Sequence, residues 1–175
     1  MQIETERLLI RDFTEADFDA VYAYGSDPEV VRYMVFPLST PESTYEHLAR
    51  CMAQVHQQPR TSYDLGVALK ATNQVIGGIS LGVVDRERGE GAFSYLFNRA
   101  VWGQGYATEA LNAMVRFGFA QLALTRLADS CDVRNIASAR VMEKCGFRCE
   151  GEREGERFYA LTRQEWQQVV QDESF

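Results

Sequence analysis

Halfway along the chain, the spacing of apolar residues changes from the period of a strand to that of a helix. Large apolar residues alternate with small or polar ones in three runs, residues 63–69, 75–84 and 92–97. Turn-forming residues separate the runs, so we predict three adjacent antiparallel strands. From Gln104 to Leu122, apolar residues recur every three or four positions, which predicts an amphipathic helix.

The remainder of the chain alternates between the two periods. After that helix we predict a strand over 126–133, a helix over 136–144, a strand from Phe147 and a last strand around 157–161. This order indicates an α/β (α+β) sandwich with a mixed sheet, rather than a doubly wound fold. Since the chain has 175 residues, 46% of them hydrophobic, and no linker, we expect one domain over residues 1–175.

Three helix-start signals occupy the N-terminal third. Thr14 with Asp17 resembles a capping box, and Asp27-Pro28 predicts a second, short helix. Thr40-Pro41 predicts a third, longer helix. Its apolar positions share one face: Tyr45, Leu48, Met52 and Val55. We therefore expect the two histidines of the chain, His47 and His56, on the polar side of this helix.

The net charge of the chain limits the classes of partner that it can bind. Lys and Arg total 18 against 25 Asp and Glu, giving a net charge of -7 and excluding a broad nucleic-acid surface. An amine-bearing partner suits this sign. No apolar run approaches the roughly 18 residues of a membrane span, and the N-terminus is charged. We expect neither a membrane anchor nor a secretion signal, and hence a cytoplasmic protein.

The four cysteines favour no metal site. Cys51, Cys131, Cys145 and Cys149 form no CxxC pair, and three of them are far in sequence from both histidines. We expect reduced thiols and no bound metal.

The segment Asn98 to Ala110 carries a candidate anion site. It predicts a strand that runs into a helix through Gly103 and Gly105. Glycine lets a phosphate approach the backbone, while the first N–H groups of the helix, from about Tyr106, point at the anion and the helix dipole attracts it. A P-loop would need Lys-Ser/Thr after the glycines, and a dinucleotide-binding fingerprint would need a third glycine at the position of Thr108. The segment matches neither motif. A plain turn before a core helix remains the alternative.

The run from Trp102 to Ala110 resembles the acyl-CoA pyrophosphate motif of the GCN5-related N-acetyltransferases, in the form typical of their ribosomal-protein branch (RimJ/RimL-like). Thr5 to Arg11 resembles the N-terminal signature of that branch. Asn135-x-x-Ser138, followed by Gly146-Phe147, resembles its second cofactor motif. Trp102 stands where the wider family has Gln or Arg.

The resemblance implies a mixed, mostly antiparallel sheet of about seven strands, splayed between strands 4 and 5 and flanked by helices. It implies acetyl-CoA as co-substrate. The expected cofactor-binding residues are Leu96, Phe97, Asn98, Gly103, Gln104, Gly105, Tyr106, Ala107, Thr108, Asn135 and Ser138. A backbone N–H near Leu96 or Phe97 would polarise the thioester carbonyl.

The catalytic assignments depend on the same resemblance. Many family members place a tyrosine acid where this chain has Met142, so we predict Ser138 as the proton donor. Glu90 is the candidate base, because strand alternation aims it to the same face as Ser94; a solvated turn carboxylate is the alternative. The rival bases lie near the last hairpin: Glu150, Glu152, Glu154 and Glu156. The resemblance implies attack without an acyl-enzyme, and Cys145 has no histidine near it in sequence, so we do not expect it to act as a nucleophile. Glu109, in the first helical turn, is expected to be structural.

The expected activity is acetyl transfer, by direct attack in a ternary complex, to a primary amine on a protein N-terminus or a small molecule. We expect a monomer or homodimer. Two alternatives stay open: a catalytically silent acyl-CoA-binding module, which the missing tyrosine at Met142 favours, and a nucleotide-binding regulatory domain.

Overall fold

The computed structural model describes residues 1–172, and side chains through residue 168. The strands are β1 Gln2–Glu4, β2 Leu8–Asp12, β3 Ser62–Leu69, β4 Val75–Asp85, β5 Glu90–Phe97, β6 Arg126–Asp132, β7 Arg148–Arg153 and β8 Glu156–Thr162. The helices are α1 Phe18–Gly25, α2 Pro41–Gln54, α3 Tyr106–Ala120, α4 Ile136–Lys144 and α5 Arg163–Asp172. Short 3-10 turns cover Glu15–Asp17 and Arg99–Val101.

The strands form one sheet in the order β1-β2-β3-β4-β5-β6-β8-β7. Neighbours at both ends are antiparallel, whereas β5 and β6 are parallel, so the predicted mixed sheet is confirmed. Residues 1–172 contain eight strands rather than about seven. The additional strand is β1, where Gln2 pairs with Arg11 and Glu4 with Leu9. Its three residues are held by pairing with β2 and carry no apolar pattern of their own.

The pairing of β5 with β6 is short. It runs from Glu90 opposite Arg126 to Ala92 opposite Ala128, while β5 continues to Phe97. A sheet that opens between these two strands requires such a truncated register, which agrees with the expected splay.

The prediction of a short helix after Asp27-Pro28 is wrong. The segment forms turns, with Val30 N–H donating to the Asp27 carbonyl at 3.0 Å and Met34 N–H to the Val31 carbonyl at 2.8 Å. The Asp27 carboxylate does accept the Glu29 N–H, at 2.9 Å. The start signal therefore caps a turn. No helix follows, because a first helical turn is unfavourable unless further hydrogen-bonded turns extend it.

Helix α2 is present, but its buried face is rotated from the predicted one. Thr44, Leu48 and Cys51 are buried, whereas Tyr45 is 62% exposed. This rotation leaves His47 half-buried rather than on the solvent side.

The chain divides into two compact units. The first comprises residues 1–80 and 94–110; its core joins Phe13, Tyr24 and Leu48 to strands β3 and β4. The second comprises residues 81–93 and those from 111 onward; in its core Phe93 packs on Phe147 with ring centres 4.8 Å apart. One domain over 1–175, whose residues 173–175 lie outside the described part, stays a prediction.

Candidate active site

The turn between β5 and α3 adopts the backbone that its glycines permit. Gly103 and Gly105 have φ of +75° and +82°, a region that side-chain-bearing residues rarely adopt. A Cβ on Gly103 would point into open space, with no atom of the protein within 4 Å. The turn therefore leaves the approach to its backbone clear.

The first turn of α3 presents backbone donors at this opening. The Glu109 N–H donates to the Gly105 carbonyl, at 3.0 Å, at the start of the helix. The N–H groups of Tyr106 and Ala107 also lie in this first turn, at the positive end of the helix dipole. The residues present thus suit a pyrophosphate, and binding of that group here stays a prediction.

An ion pair from the N-terminal segment supports the turn. Arg7 Nε donates to Glu109 Oε2 at 2.7 Å, and Arg7 Nη1 donates to the Gln104 carbonyl at 2.9 Å. The Arg7 guanidinium also lies 4.4 Å from the centre of the Tyr106 ring. Arg7 therefore contacts two residues of the candidate pyrophosphate site, Gln104 and Tyr106, and the structural Glu109. No role for Arg7 was predicted from the sequence.

Glu109 is structural, as predicted. Its carboxylate accepts hydrogen bonds from Thr5 Oγ1 at 2.6 Å and from the Arg7 backbone N–H at 2.8 Å, besides the Arg7 side chain. Burial alone would raise the pKa of Glu109, but the hydrogen bonds from Thr5 and Arg7 outweigh burial and lower it. The negative charge of Glu109 is therefore compensated by Arg7.

The backbone at the end of β5 bears on which N–H group, that of Leu96 or that of Phe97, can reach the thioester carbonyl. Asn98 N–H donates to the Ile76 carbonyl of β4 at 2.8 Å, and a Cβ on Gly77 would clash with the Leu96 carbonyl oxygen. The Asn98 N–H and the Leu96 carbonyl thus face β4, and alternation turns the Phe97 N–H to the opposite edge. Of the two N–H groups considered for the thioester carbonyl, the geometry favours that of Phe97.

Asn98 itself closes the strand. Its Oδ1 accepts the Ala100 N–H at 3.0 Å and its carbonyl accepts the Val101 N–H at 3.1 Å. The Phe97 carbonyl accepts the Trp102 indole N–H at 2.8 Å. A contact of Asn98 with the pantetheine arm stays a prediction, which these bonds do not favour.

Asn135 and Ser138 lie together in the second unit. Asn135 caps α4, its Oδ1 accepting the Ser138 N–H at 3.1 Å. The Ser138 side chain hydrogen-bonds the buried Cys131 thiol. The asparagine therefore has the capping role that its position at a helix start allows, and the catalytic role of Ser138 stays a prediction.

Two other predicted features of this unit are buried. Met142 is fully buried in the core, where a tyrosine hydroxyl would need a partner. Burial raises the pKa of the Cys145 thiol to about 12, which makes it a poor nucleophile. Asp129 was not singled out by sequence: burial, together with the Glu156 charge, raises its pKa to about 7, although a hydrogen bond from the Ser130 backbone lowers it.

Glu90 lies at the start of β5, opposite Arg126 in the register of β5 with β6. Leu96 and Phe97 stand at the other end of the strand. The structure therefore does not bring the candidate base to the strand end where the thioester is expected, and a catalytic role for Glu90 stays a prediction.

The first unit contains a cavity of about 130 Å³ beside the end of β5. Its lining comprises Phe13, Tyr24, Met34, Phe36, His47, Asp64, Leu65, Gly78, Ile79, Ser80, Ser94, Tyr95 and Leu96. His47 and Asp64 were not predicted from the sequence as site residues. The signal for Asp64 was an acid inside an apolar strand pattern, and the burial of His47 followed from a helix rotation that no local pattern shows.

In residues 1–172, no cluster of three or more His, Cys, Asp or Glu side chains suits a metal ion. No helix in the same range has the length and apolarity to cross a membrane. None of the four cysteines forms a disulfide.

Comparison with known proteins agrees with this geometry. The family model described as an acetyltransferase (GNAT) domain matches residues 7–148. The uncharacterized N-acetyltransferase YnaD of Bacillus subtilis (strain 168) is 34% identical, with 95% of this chain and 99% of YnaD covered. A GNAT-family acetyltransferase structure from Bacillus anthracis is 30% identical, with a TM-score of 0.81 and coverage of 94% of this chain and 99% of that one.

A more distant structure shares the fold alone. RimL, the ribosomal L7/L12 alpha-N-protein acetyltransferase, in complex with coenzyme A, has a TM-score of 0.77 at 20% identity, with 93% of this chain and 98% of RimL covered. The family match spans most of the chain, the relatives are covered over nearly their whole length, and members of this family use acetyl-CoA. The chain therefore belongs to the GNAT family of acetyltransferases and is an N-acetyltransferase.

Proposed function

We propose that this protein transfers the acetyl group of acetyl-CoA to a primary amine, carried by a protein N-terminus or a small molecule, by direct attack in a ternary complex. The observation that carries the proposal is the glycine turn before α3, which presents first-turn N–H groups to an open approach. Acetyl-CoA would supply an activated acetyl thioester.

The residues of the chain would divide the work along β5 and the turn. The N–H groups from Tyr106 to Thr108 would hold the pyrophosphate, supported by Gly103, Gln104 and Gly105. The Phe97 N–H, turned away from β4, would donate to the thioester carbonyl as negative charge develops there. Arg7 would hold the turn in this geometry through Glu109 and the Gln104 carbonyl.

The transfer itself would be direct. The raised pKa of Cys145 leaves it a protonated thiol at neutral pH, which argues against an acyl-enzyme on that residue. The amine must be neutral to attack, since an α-amine has a pKa of about 8 and a lysine about 10.4. Ser138 would donate to the departing thiolate, and Glu90 remains the proposed base.

Replacing Gly105 with Val tests the cofactor site. A β-branched side chain at φ +82° is strained, and its Cβ would lie 3.5 Å from Nη2 of Arg7, which supports the turn. We therefore expect the Kd for coenzyme A to rise at least tenfold by calorimetry. Gly82→Val is the matched control, because Gly82 lies in β4 and a Cβ there would have no atom within 4 Å. Unchanged affinity in a folded Gly105→Val protein would remove the pyrophosphate from this turn.

A silent acyl-CoA-binding module is the second candidate, and the buried Met142 favours it, since this position offers no proton. Coenzyme A release with a panel of primary amines separates the two. Release above the rate without acceptor supports transfer. Tight coenzyme A binding with no release across the panel supports the silent module.

A further inference from the structure

The cavity beside the end of β5 has a defined charge. Asp64 is the one acidic side chain among its lining residues, and no lysine or arginine lines it. The Asp64 carboxylate accepts a hydrogen bond from Ser62 Oγ at 3.0 Å. In residues 1–172, no Arg or Lys nitrogen lies within ion-pair distance, 4.0 Å, of this carboxylate. Asp64 therefore gives the cavity one negative charge that no close ion pair compensates.

The other titratable groups of the lining do not offset that charge at neutral pH. Burial, then the positive charge of Arg50, lowers the pKa of His47, and these outweigh the attraction of Asp64. Arg50 Nη2 lies 3.1 Å from His47 Nδ1, where it can donate only to an unprotonated nitrogen. Burial also raises the pKa of Tyr24, which stays neutral.

The rest of the wall is largely apolar. Phe13, Leu65 and Ile79 are each at most 5% exposed and close the inner side. Met34 and Phe36, from the turns before α2, also line the cavity, and Phe36 remains 41% exposed. A ligand here would bury hydrocarbon against these side chains, with one polar end at Asp64.

The position of the cavity connects it to the reaction. Ser94, Tyr95 and Leu96 of β5 line it, directly before Phe97, whose N–H is proposed to face the thioester carbonyl. An acceptor seated in the cavity would lie next to the strand that holds the acetyl donor. This step rests on the proposed function.

We infer that this cavity takes the acceptor, a singly charged primary amine carried on an apolar group, and that Asp64 is the specificity residue that binds the ammonium of the arriving amine. Such a group occurs in small arylalkylamines and at protein N-termini that begin with an apolar residue. The shared chemistry is one ammonium beside one hydrophobic substituent. The nitrogen must then lose one proton to the general base before it attacks the thioester as the neutral amine.

Calorimetry with bound coenzyme A tests the inference without turnover. We expect 2-phenylethylamine to bind the wild type, and Asp64→Asn to weaken binding at least tenfold, because Asn keeps the size but loses the charge. Glu46→Gln is the matched control: it removes one negative charge from the exposed side of α2 and should leave binding within twofold. Uncharged 2-phenylethanol should bind the wild type and Asp64→Asn alike.

A second arm separates the two sources of the ammonium. A tetrapeptide with a free N-terminal phenylalanine is compared with 2-phenylethylamine. Tighter Asp64-dependent binding of the peptide indicates a protein N-terminus as acceptor, and tighter binding of 2-phenylethylamine indicates a small amine. Equal affinity of wild type and Asp64→Asn for both ligands would overturn the inference, as would failure of both to bind the wild type.

Turnover distinguishes failure of the inference from failure of the proposed function. Asp64-dependent amine binding without coenzyme A release would contradict the transferase and leave the amine site standing. Acetyl transfer with the same KM for the amine in wild type and Asp64→Asn would overturn the amine site and leave the transferase standing.

Discussion

Replacing Arg7 with Met should loosen the turn that precedes α3 and weaken cofactor binding. The guanidinium makes three contacts: the ion pair with Glu109, the hydrogen bond to the Gln104 carbonyl and the cation–π contact with the Tyr106 ring. Its side chain is 42% exposed, so the ion pair contributes no more than about 0.5 kcal/mol after screening. The hydrogen bond adds about 1 kcal/mol and the cation–π contact about 0.5 kcal/mol.

The sum of about 2 kcal/mol sets the scale of the effect. If all of it holds the turn in the conformation that presents the N–H groups, the Kd for coenzyme A rises by about thirtyfold. Partial recovery by solvent brings the expected increase to about tenfold. Part of the same free energy also stabilises the fold, so we expect the free energy of unfolding to fall by about 1 kcal/mol.

Calorimetric titration with coenzyme A measures this effect, and urea unfolding measures stability alongside. Arg32→Met is the matched control, because Arg32 is 59% exposed and pairs only loosely, at 3.4 Å, with Glu29. Arg7→Lys keeps the charge but not the planar fork, so it should recover only part of the affinity.

A double-mutant cycle then tests whether Arg7 acts through Glu109. Because Glu109→Gln removes the charge that Arg7 pairs with, the two substitutions should be less than additive, with a coupling of about 0.5 kcal/mol. Unchanged coenzyme A affinity in folded Arg7→Met would refute the reasoning. Full additivity with Glu109→Gln would refute the ion pair as its route.

Three further predictions concern the second unit. Ser138→Ala should lower kcat by roughly ten- to a thousandfold, with a smaller effect on the KM for acetyl-CoA; an unchanged kcat would remove it as proton donor. Cys145→Ala should leave kcat within about a few-fold, and an acetyl adduct on Cys145 by intact mass that chases into product would contradict direct attack. Asp129→Asn should stabilise the fold more at pH 8 than at pH 5, by a difference of about 1 to 3 kcal/mol. The folded pKa of about 7 lies above the unfolded value of 3.8, so the cost of ionising buried Asp129 grows as pH rises between them; equal stabilisation at both pH values would contradict this.

Much of the fold could be predicted from local patterns in the sequence. The apolar alternation between residues 63 and 97 gave β3, β4 and β5, and the two glycines gave the strand-to-helix turn. Both depend on neighbours in sequence, where side-chain period and backbone freedom act directly. The short register of β5 with β6 came from the family resemblance, since no local pattern shows where two strands part.

Local signals failed where they have more than one structural solution. Asp27-Pro28 can start a helix or cap a turn, and the turn formed. Helix α2 carries apolar residues on two overlapping faces, and packing chose Thr44, Leu48 and Cys51 over the face with Tyr45. That face is selected by α1 and β3, which pack against α2 through contacts between distant parts of the chain.

The site residues that escaped prediction share this dependence on distant contacts. Arg7 meets Glu109 across 102 positions of sequence, and neither residue departs from an ordinary surface pattern. His47 and Asp64 line one cavity because α2 packs over β3, which turns an apparently solvent-facing histidine inward. The proposed acetyl-donor site could be predicted from the glycines because it consists of backbone groups at one turn. The proposed acceptor site is made of side chains from several elements, so its chemistry emerges only when they are packed together.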